Sequence, residues 1–349
     1  MHIDLDAAQA WERLRASRWN PPGRADTGSR RKTYVAALEQ AEQTFQAAAT
    51  VGTATRPMQV HYGLSQAGRA IAAAAVTLKG EEWNLTAHGI TTSGFHLPFP
   101  DIEIRTDPPG TQGSFVRVSE VLDSPVWERD PVRLEDMWDL LPPNLRYPLT
   151  TRDQLSPLYV DEIAVGTHDH DLLSVPVCYI PDRVIDAGTR EALTDFLTSY
   201  PAVAQHDSYV TRRALSLGSE APPEYSRYDR GGGELTINWQ MPKGEGGGFD
   251  GQATGAERLA RLRAMTRSYT GERYFLPVLP SMKRELHPLM AWWAVLDALS
   301  KLSRYQPAAW GTLINVDTSK HAVPIERLLE VGINHLPILI ADAITEVST

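Results

Sequence analysis

The chain has 349 residues, of which 42% are hydrophobic and 22% are charged, the composition of a folded globular protein rather than a disordered one. Its formal net charge of −9 argues against broad electrostatic binding to nucleic acid or to an anionic membrane. The single cysteine, Cys178, excludes a disulfide within the chain and lies in an apolar run, which predicts a small buried side chain.

Residues 1–98 are predicted to be helical. Apolar side chains recur at helical spacing over Asp4–Ala16 and Arg31–Val51. The next segment, Pro57–Leu78, is rich in alanine, and such small side chains let neighbouring helices approach closely. We therefore predict that this third helix lies at the centre of the packing.

Residues 99–253 are predicted to be rich in strands, because the apolar period falls from near four to near two. The predicted strands are "DIEIRT", "SFVRVSEV", "LYVDEIAVG", "LLSVPVCYI" and "ELTINWQMP". Helices are predicted between them at Val132–Leu141 and Thr189–Ser199, and the glycine-rich "KGEGGGFDGQATG" predicts an exposed loop.

Residues 254–349 return to helical periodicity. The predicted helices are Ala256–Tyr269, Arg284–Arg304, Ala308–Asn315 and Ile325–Ile344. The chain is therefore assigned to the α+β class, with a mainly helical core from the N- and C-terminal segments and an inserted β-rich middle region. The N-terminus lacks the features of a signal peptide and the apolar run Leu289–Leu296 is too short to cross a bilayer, so we expect a cytoplasmic protein with no membrane partner.

Motifs for metal and cofactor binding are weak. "GTHDHD" places His168 and His170 two residues apart between two predicted strands, where a polar hairpin tip explains them without a metal. The glycine-rich segments lack the lysine and hydroxyl residue of a P-loop. We expect neither a metal site nor a cofactor.

The alanine-rich helix carries a polar stripe. His61, Ser65 and Arg69 are spaced four apart and so share one helix face, which is either the solvent face or a grip for an anion such as phosphate. The spacing from Arg56 to His61 is similar to the arginine–histidine spacing of HEPN-type ribonucleases, although Pro57 stands where those enzymes usually carry a polar residue. This short pattern also arises by chance.

Two further candidates lie outside that helix. His88 precedes a glycine, so its imidazole is either exposed on a tight turn or bonded to a helix-terminal carbonyl. Near the C-terminus, Pro307 must end the preceding helix at or before Gln306, which brings Arg304 and Tyr305 to the junction. Arg304 then either pairs with a carboxylate such as Asp297 or binds an anion.

These residues carry a resemblance to the YaaC-like family of bacterial proteins. The matching motifs are His61-Tyr62-Gly63-Leu64, Trp83 followed by His88-Gly89, and Leu299–Tyr305 followed by Trp310. The resemblance is strongest over residues 30–90 and 284–345, and Gln306-Pro307 departs from it, since an acidic residue is expected there. It implies a helical protein distantly similar to HEPN domains, some of which act in bacterial conflict or anti-phage systems.

Two functions are expected from these features. The first is a binding or assembly protein in a defence or nucleotide-related system, with a protein partner or a homodimer, whose pocket accepts a phosphate-bearing ligand such as a nucleotide or RNA. Its ligand-binding residues are His61, Ser65, Arg69, His88, Arg304 and Tyr305. The alternative is a metal-independent HEPN-type ribonuclease, with His61 or His88 in general acid–base catalysis and Arg56 or Arg304 stabilising the phosphorane.

Overall fold

The computed structural model describes residues 6–152, 154–204, 209–211, 223–242 and 252–349. The chain divides into two compact units, Met1–Gln154 with Leu279–Thr349 and, separately, Leu155–Val278. Most of the predicted glycine-rich loop, residues 243–251, lies outside the described residues.

The described residues contain both helices and strands, with three successive helices at each end of the chain. The helices are α1 Ala7–Ser17, α2 Gly28–Thr50, α3 Arg56–Ala74, α4 Ser114–Val121, α5 Leu134–Asp139, α6 Asp182–Ala187, α7 Arg190–Leu197, α8 Pro201–Ala204, α9 Gly255–Met265, α10 Pro288–Tyr305, α11 Pro307–Leu313 and α12 Ala322–Val347. The strands are β1 Ile90–Ser93, β2 Glu103–Thr106, β3 Val132–Arg133, β4 Leu158–Val160, β5 Leu172–Ile180, β6 Tyr209–Thr211, β7 Ser226–Arg227, β8 Gly233–Gln240, β9 Arg267–Tyr269 and β10 Glu272–Phe275. The α+β class is confirmed.

Helix α3 is the centre of the first unit and packs against α2, α10 and α12. Its glycines allow this approach: a Cβ on Gly63 would lie 2.8 Å from the Phe45 ring, and one on Gly68 would lie 2.3 Å from the Trp293 ring. Its alanines are buried as well. The predicted central packed helix is confirmed, and small side chains are the reason it can be central.

Helix α10 is buried along almost its whole length, including Trp292 and Trp293. It begins after His287, whose Nδ1 accepts a hydrogen bond from the backbone N–H of Leu289 at 3.1 Å. Pro307 starts α11, so the proline ends α10 where the sequence predicted.

Among the described residues, one helix is long and apolar enough to cross a membrane, namely α12. Its most apolar window is 61% buried inside the protein. Such burial is the pattern of a core helix, and α12 packs against α1 and α3.

The segment Ser114–Val121 was predicted as a strand, and this prediction is wrong: it is helix α4. Its β-branched residues favoured a strand, but Phe115, Val118 and Leu122 are buried together at helical spacing. The Phe115 ring meets that of Trp293 edge-on at 6.0 Å. Tertiary packing therefore overrides local propensity here.

A small antiparallel sheet of order β1-β2-β3 belongs to the first unit. Ile90 pairs with Thr106, and Ile104 pairs with Val132. Because β1 follows α3 and its partners are β2 and β3, residues 99–154 join the helical unit. The unit boundaries therefore differ from the predicted limits of the insert, 99 and 253.

The second unit is built on a larger antiparallel sheet of order β6-β8-β5-β4-β10-β9, with β7 paired to β8. Its apolar core includes Val175, Val177 and Ile237. Strands β9 and β10 follow α9 and extend this sheet, so residues 254–278 belong here rather than to the predicted C-terminal helical part.

Candidate functional site

A buried carboxylate joins α10 to strand β1. Asp297 is 1% exposed, and its Oδ2 accepts hydrogen bonds from the Thr92 hydroxyl at 2.6 Å and from the Lys301 ammonium at 2.7 Å. Lys301, one turn further along α10, also donates to the Ile90 carbonyl at 3.2 Å. A buried charge needs such partners, because an unpaired carboxylate in the interior is costly.

His61 of α3 lies against this carboxylate. Its Nε2 is 3.8 Å from the Asp297 Oδ1, and its side chain is 15% exposed. Burial lowers the pKa of His61 from 6.5 to about 4; Asp297 opposes this change, while the charges of Lys301, His88 and Arg304 add to it. The imidazole is therefore neutral at pH 7. Its Nδ1 is buried without a hydrogen-bond partner among the described residues.

His88 and Arg304 are exposed, and their charges act on the pKa of His61. The turn at His88 is fixed by its carbonyl, which accepts from the Phe115 N–H at 2.9 Å. Arg304 donates to the Tyr305 hydroxyl, and its Cζ lies 4.7 Å from the Tyr305 ring centroid. We call His61, His88, Lys301 and Arg304 the His61 cluster. It combines the exposed His88 and Arg304 with a Lys301 ammonium that is paired with Asp297 and with a neutral, largely buried imidazole.

A family model described as "YaaC-like Protein" matches residues 6–344. The chain belongs to the YaaC-like family. The match extends across the strand-rich second unit as well as the helical segments on which the sequence resemblance rested. No curated protein and no solved structure matches this YaaC-like chain.

The remaining predicted residues of this YaaC-like protein have structural contacts of their own. Arg56 donates from Nη2 to the Val51 carbonyl at 2.8 Å and from Nε to the Ala48 carbonyl at 3.1 Å, so it caps the end of α2. Arg69 donates to the Leu85 carbonyl at 3.0 Å and holds the loop after α3. Ser65 is buried one turn after His61.

The structure also resolves which side chain faces the Asp297 carboxylate. The sequence suggested Arg304 as a partner, whereas Lys301 forms the ion pair and Arg304 turns to Tyr305. The spacing of four between Asp297 and Lys301 is a signal that could have found this pair. Thr92 had no such signal, because it is 205 residues away in the chain.

The "GTHDHD" turn connects the antiparallel neighbours β4 and β5. The His170 Nδ1 accepts a hydrogen bond from the Leu172 N–H at 2.9 Å, and the His168 carbonyl accepts from Arg258. Within the described parts of the chain, no group of three or more His, Cys, Asp and Glu side chains could hold a metal ion. A local hydrogen bond therefore engages the His170 imidazole, while His168 is held through its backbone carbonyl by the distant Arg258.

A separate concavity of about 550 Å³ lies in the first unit and contains none of the predicted site residues. Its lining mixes Arg129 and Lys283 with Glu128 and Asp130. Because charges of both signs line it, its electrostatics select no class of ligand.

Proposed function

We propose that this YaaC-like protein is a cytoplasmic binding or assembly protein whose His61 cluster holds the phosphate of a nucleotide or RNA. The observation that carries the proposal is that the charges of His88, Lys301 and Arg304 act on the pKa of the buried His61 in a chain of net charge −9. Among the described residues, no carboxylate forms an ion pair with the exposed Arg304, so its charge is available to an anion. Arginine offers a planar fork of donors that suits phosphate oxygens.

The neutral imidazole of His61 supports the same role. Its buried Nδ1 has no hydrogen-bond partner among the described residues, and buried polar atoms without partners are uncommon in folded proteins. Because Nε2 faces the Asp297 carboxylate and carries the proton of the neutral imidazole, Nδ1 is an acceptor that a ligand hydroxyl, such as that of a ribose, would satisfy. Because the imidazole is uncharged at pH 7 and the Lys301 ammonium is paired with Asp297, the positive charge for a ligand would come from Arg304.

Assembly with a protein partner or a second copy is proposed on different grounds. Tyr62 and Tyr305 follow His61 and Arg304 in the chain and remain 54% and 57% exposed. Exposed tyrosines are enriched at protein interfaces, because their rings bury apolar area while the hydroxyl keeps a polar contact. A place in a defence or nucleotide-related system is proposed from the family resemblance alone.

Isothermal titration of the full chain with inorganic phosphate and with a nucleoside monophosphate tests the binding role. Arg304→Ala should weaken binding about tenfold or more, since a hydrogen bond to a charged group contributes about 1.5–3 kcal/mol. Arg129→Ala is the matched control, because this arginine side chain is 89% exposed and lies outside the cluster. Equal affinities in the wild type and Arg304→Ala would refute the site.

A metal-independent ribonuclease is the second candidate, and one observation favours it: a neutral imidazole beside an exposed arginine can act as a general base. The engagement of Arg56 with the α2 carbonyls removes the arginine of the HEPN-like spacing from that role, which leaves Arg304. RNA cleavage in EDTA by the wild type, lost in His61→Ala, would establish the enzyme. Binding without cleavage would favour the first proposal.

A further inference from the structure

The second unit carries a group of tyrosines on the sheet face opposite its apolar core. Tyr159 and Tyr274 are register partners on β4 and β10, so their side chains point to the same side of the sheet. Val160 and Val177 form the neighbouring pair and face the core on the other side. Tyr228, in the turn between β7 and β8, stacks on Tyr159 with ring centroids 6.2 Å apart and planes at 20°.

A β-bulge adds another tyrosine to this face. Strict alternation along β5 would send Tyr179 to the core side with Val177, but the register with β8 shifts between Cys178 and Ile180. Ile180 takes the core position instead, and Tyr179 adopts a φ of +70°. Its ring meets Tyr228 edge-on at 5.1 Å. Bulges and left-handed non-glycine residues are enriched near functional sites, where they re-aim a side chain.

Arg230 places its guanidinium over the Tyr159 ring. Its Cζ lies 5.9 Å from the Tyr159 ring centroid, and its Nη1 donates to the Glu272 Oε1 at 3.2 Å. The other Glu272 oxygen accepts from the Tyr274 hydroxyl. The Arg230 and Glu272 side chains are 55% and 40% exposed, so the cation is at the solvent edge of the group. Aromatic faces together with a carboxylate are a typical environment for binding an organic cation.

Arg230 belongs to a short turn rather than to a strand. The Tyr228 N–H donates to the Gly232 carbonyl at 3.1 Å, and the Gly231 N–H donates to the Tyr228 carbonyl at 2.9 Å. Gly231 and Gly232 have φ values of +118° and +68°, which glycine adopts without strain. The guanidinium can therefore leave the rings by side-chain rotation, without unpairing β7 from β8.

We propose that Tyr159, Tyr179, Tyr228 and Glu272 form a tyrosine cage that binds an arginine side chain of a protein partner, with Arg230 as its resident intramolecular occupant. The occupant follows from charge complementarity: the cage presents electron-rich ring faces and one carboxylate, and a guanidinium already satisfies both. A nucleobase is disfavoured, because Tyr159 and Tyr228 already stack on each other. This inference does not rest on the His61 cluster.

The experiment uses N-acetyl-arginine amide as the probe and titrates it into the full chain by NMR. Arg230→Ala empties the cage, so this variant should bind the probe saturably and about tenfold more tightly than the wild type. In the wild type the Arg230 side chain competes with the probe at high effective concentration. Arg227→Ala is the matched control, since this exposed arginine lies on the same hairpin and, among the contacts of the described residues, forms none with the cage rings. It should behave as the wild type.

Two comparisons decide whether the cage recognises a guanidinium. N-acetyl-citrulline amide has nearly the same shape without the charge and should bind Arg230→Ala at least about tenfold more weakly. Glu272→Gln in the Arg230→Ala background should weaken binding of the arginine probe by a similar factor.

Arg230→Gln, which keeps a polar residue in the turn, should reproduce the result of Arg230→Ala. Absence of saturable binding in both Arg230 variants, equal binding of citrulline, or a preference for a single-stranded oligonucleotide would overturn the proposal.

Discussion

The burial of His61 predicts a specific loss of stability at mildly acidic pH. The pKa of His61 falls from 6.5 in the unfolded chain to about 4 in the folded protein, chiefly because burial disfavours the imidazolium. Between these two values the unfolded chain binds a proton that the folded protein does not. The stabilisation is therefore complete above pH 6.5 and is lost progressively as the pH falls toward 4.

The size of this effect follows from the two pKa values, which differ by about 2.5. At about 1.4 kcal/mol for each pKa unit, the free energy of unfolding should fall by roughly 3 kcal/mol over this range. Solvent screening reduces this number little, because the His61 side chain is only 15% exposed. Such a loss is a substantial share of the stability of an ordinary domain.

Urea denaturation at a series of pH values between 4 and 7.5 measures the effect, and His61→Gln assigns it. The variant removes the titrating group. Between pH 7.5 and pH 4 its free energy of unfolding should therefore fall by about 3 kcal/mol less than the free energy of unfolding of the wild type falls. His96→Gln is the control, because this exposed histidine is not among the groups that act on His61. If His61→Gln kept the full wild-type slope, the burial of this imidazole beside Asp297 would be wrong.

Two further variants test the packing around the site. Asp297→Ala should lower the free energy of unfolding by about 3 kcal/mol, since it leaves the partly buried Lys301 ammonium without its carboxylate. A thermal melt of this variant that matched the wild type would contradict the ion pair. Gly68→Ala should cost about 1–3 kcal/mol, because the added methyl group would overlap the Trp293 ring. Gly52→Ala is the control and should be close to neutral in the same denaturation assay, because no neighbouring atom lies within 4 Å of the added carbon. Equal losses of unfolding free energy in Gly68→Ala and Gly52→Ala would exclude the close α3–α10 contact.

The helical part of the fold could be predicted because its signals are local. The alanines and glycines of α3 indicated close packing, and Pro307 marked the end of α10. Segment 114–121 was assigned wrongly, because its β-branched residues suit a strand, whereas the helical spacing of Phe115, Val118 and Leu122 became decisive only through their packing in the core. The unit boundaries depended on strand pairing between distant segments, for which the local pattern carries no information.

The candidate site was predictable only in part, for a related reason. The sequence named His61, His88 and Arg304 as site residues, and this remains a prediction; the charges of His88 and Arg304 act on the pKa of His61, although no local pattern linked residues so far apart in the chain. Arg56 and Arg69 were also named, but each is engaged with a backbone carbonyl. A guanidinium can bind an anion or cap a helix equally well, and only tertiary structure decides between the two.

The most direct test of the phosphate site is an NMR titration of the ¹⁵N-histidine-labelled full chain with a nucleoside monophosphate. A phosphate bound at Arg304 would change the electrostatic environment of His61, so the imidazole signals of His61 should shift saturably while those of His96 stay in place. In Arg304→Ala the shift should require much higher ligand concentrations. A His61 signal that does not respond, or that responds equally in Arg304→Ala, would contradict the phosphate site.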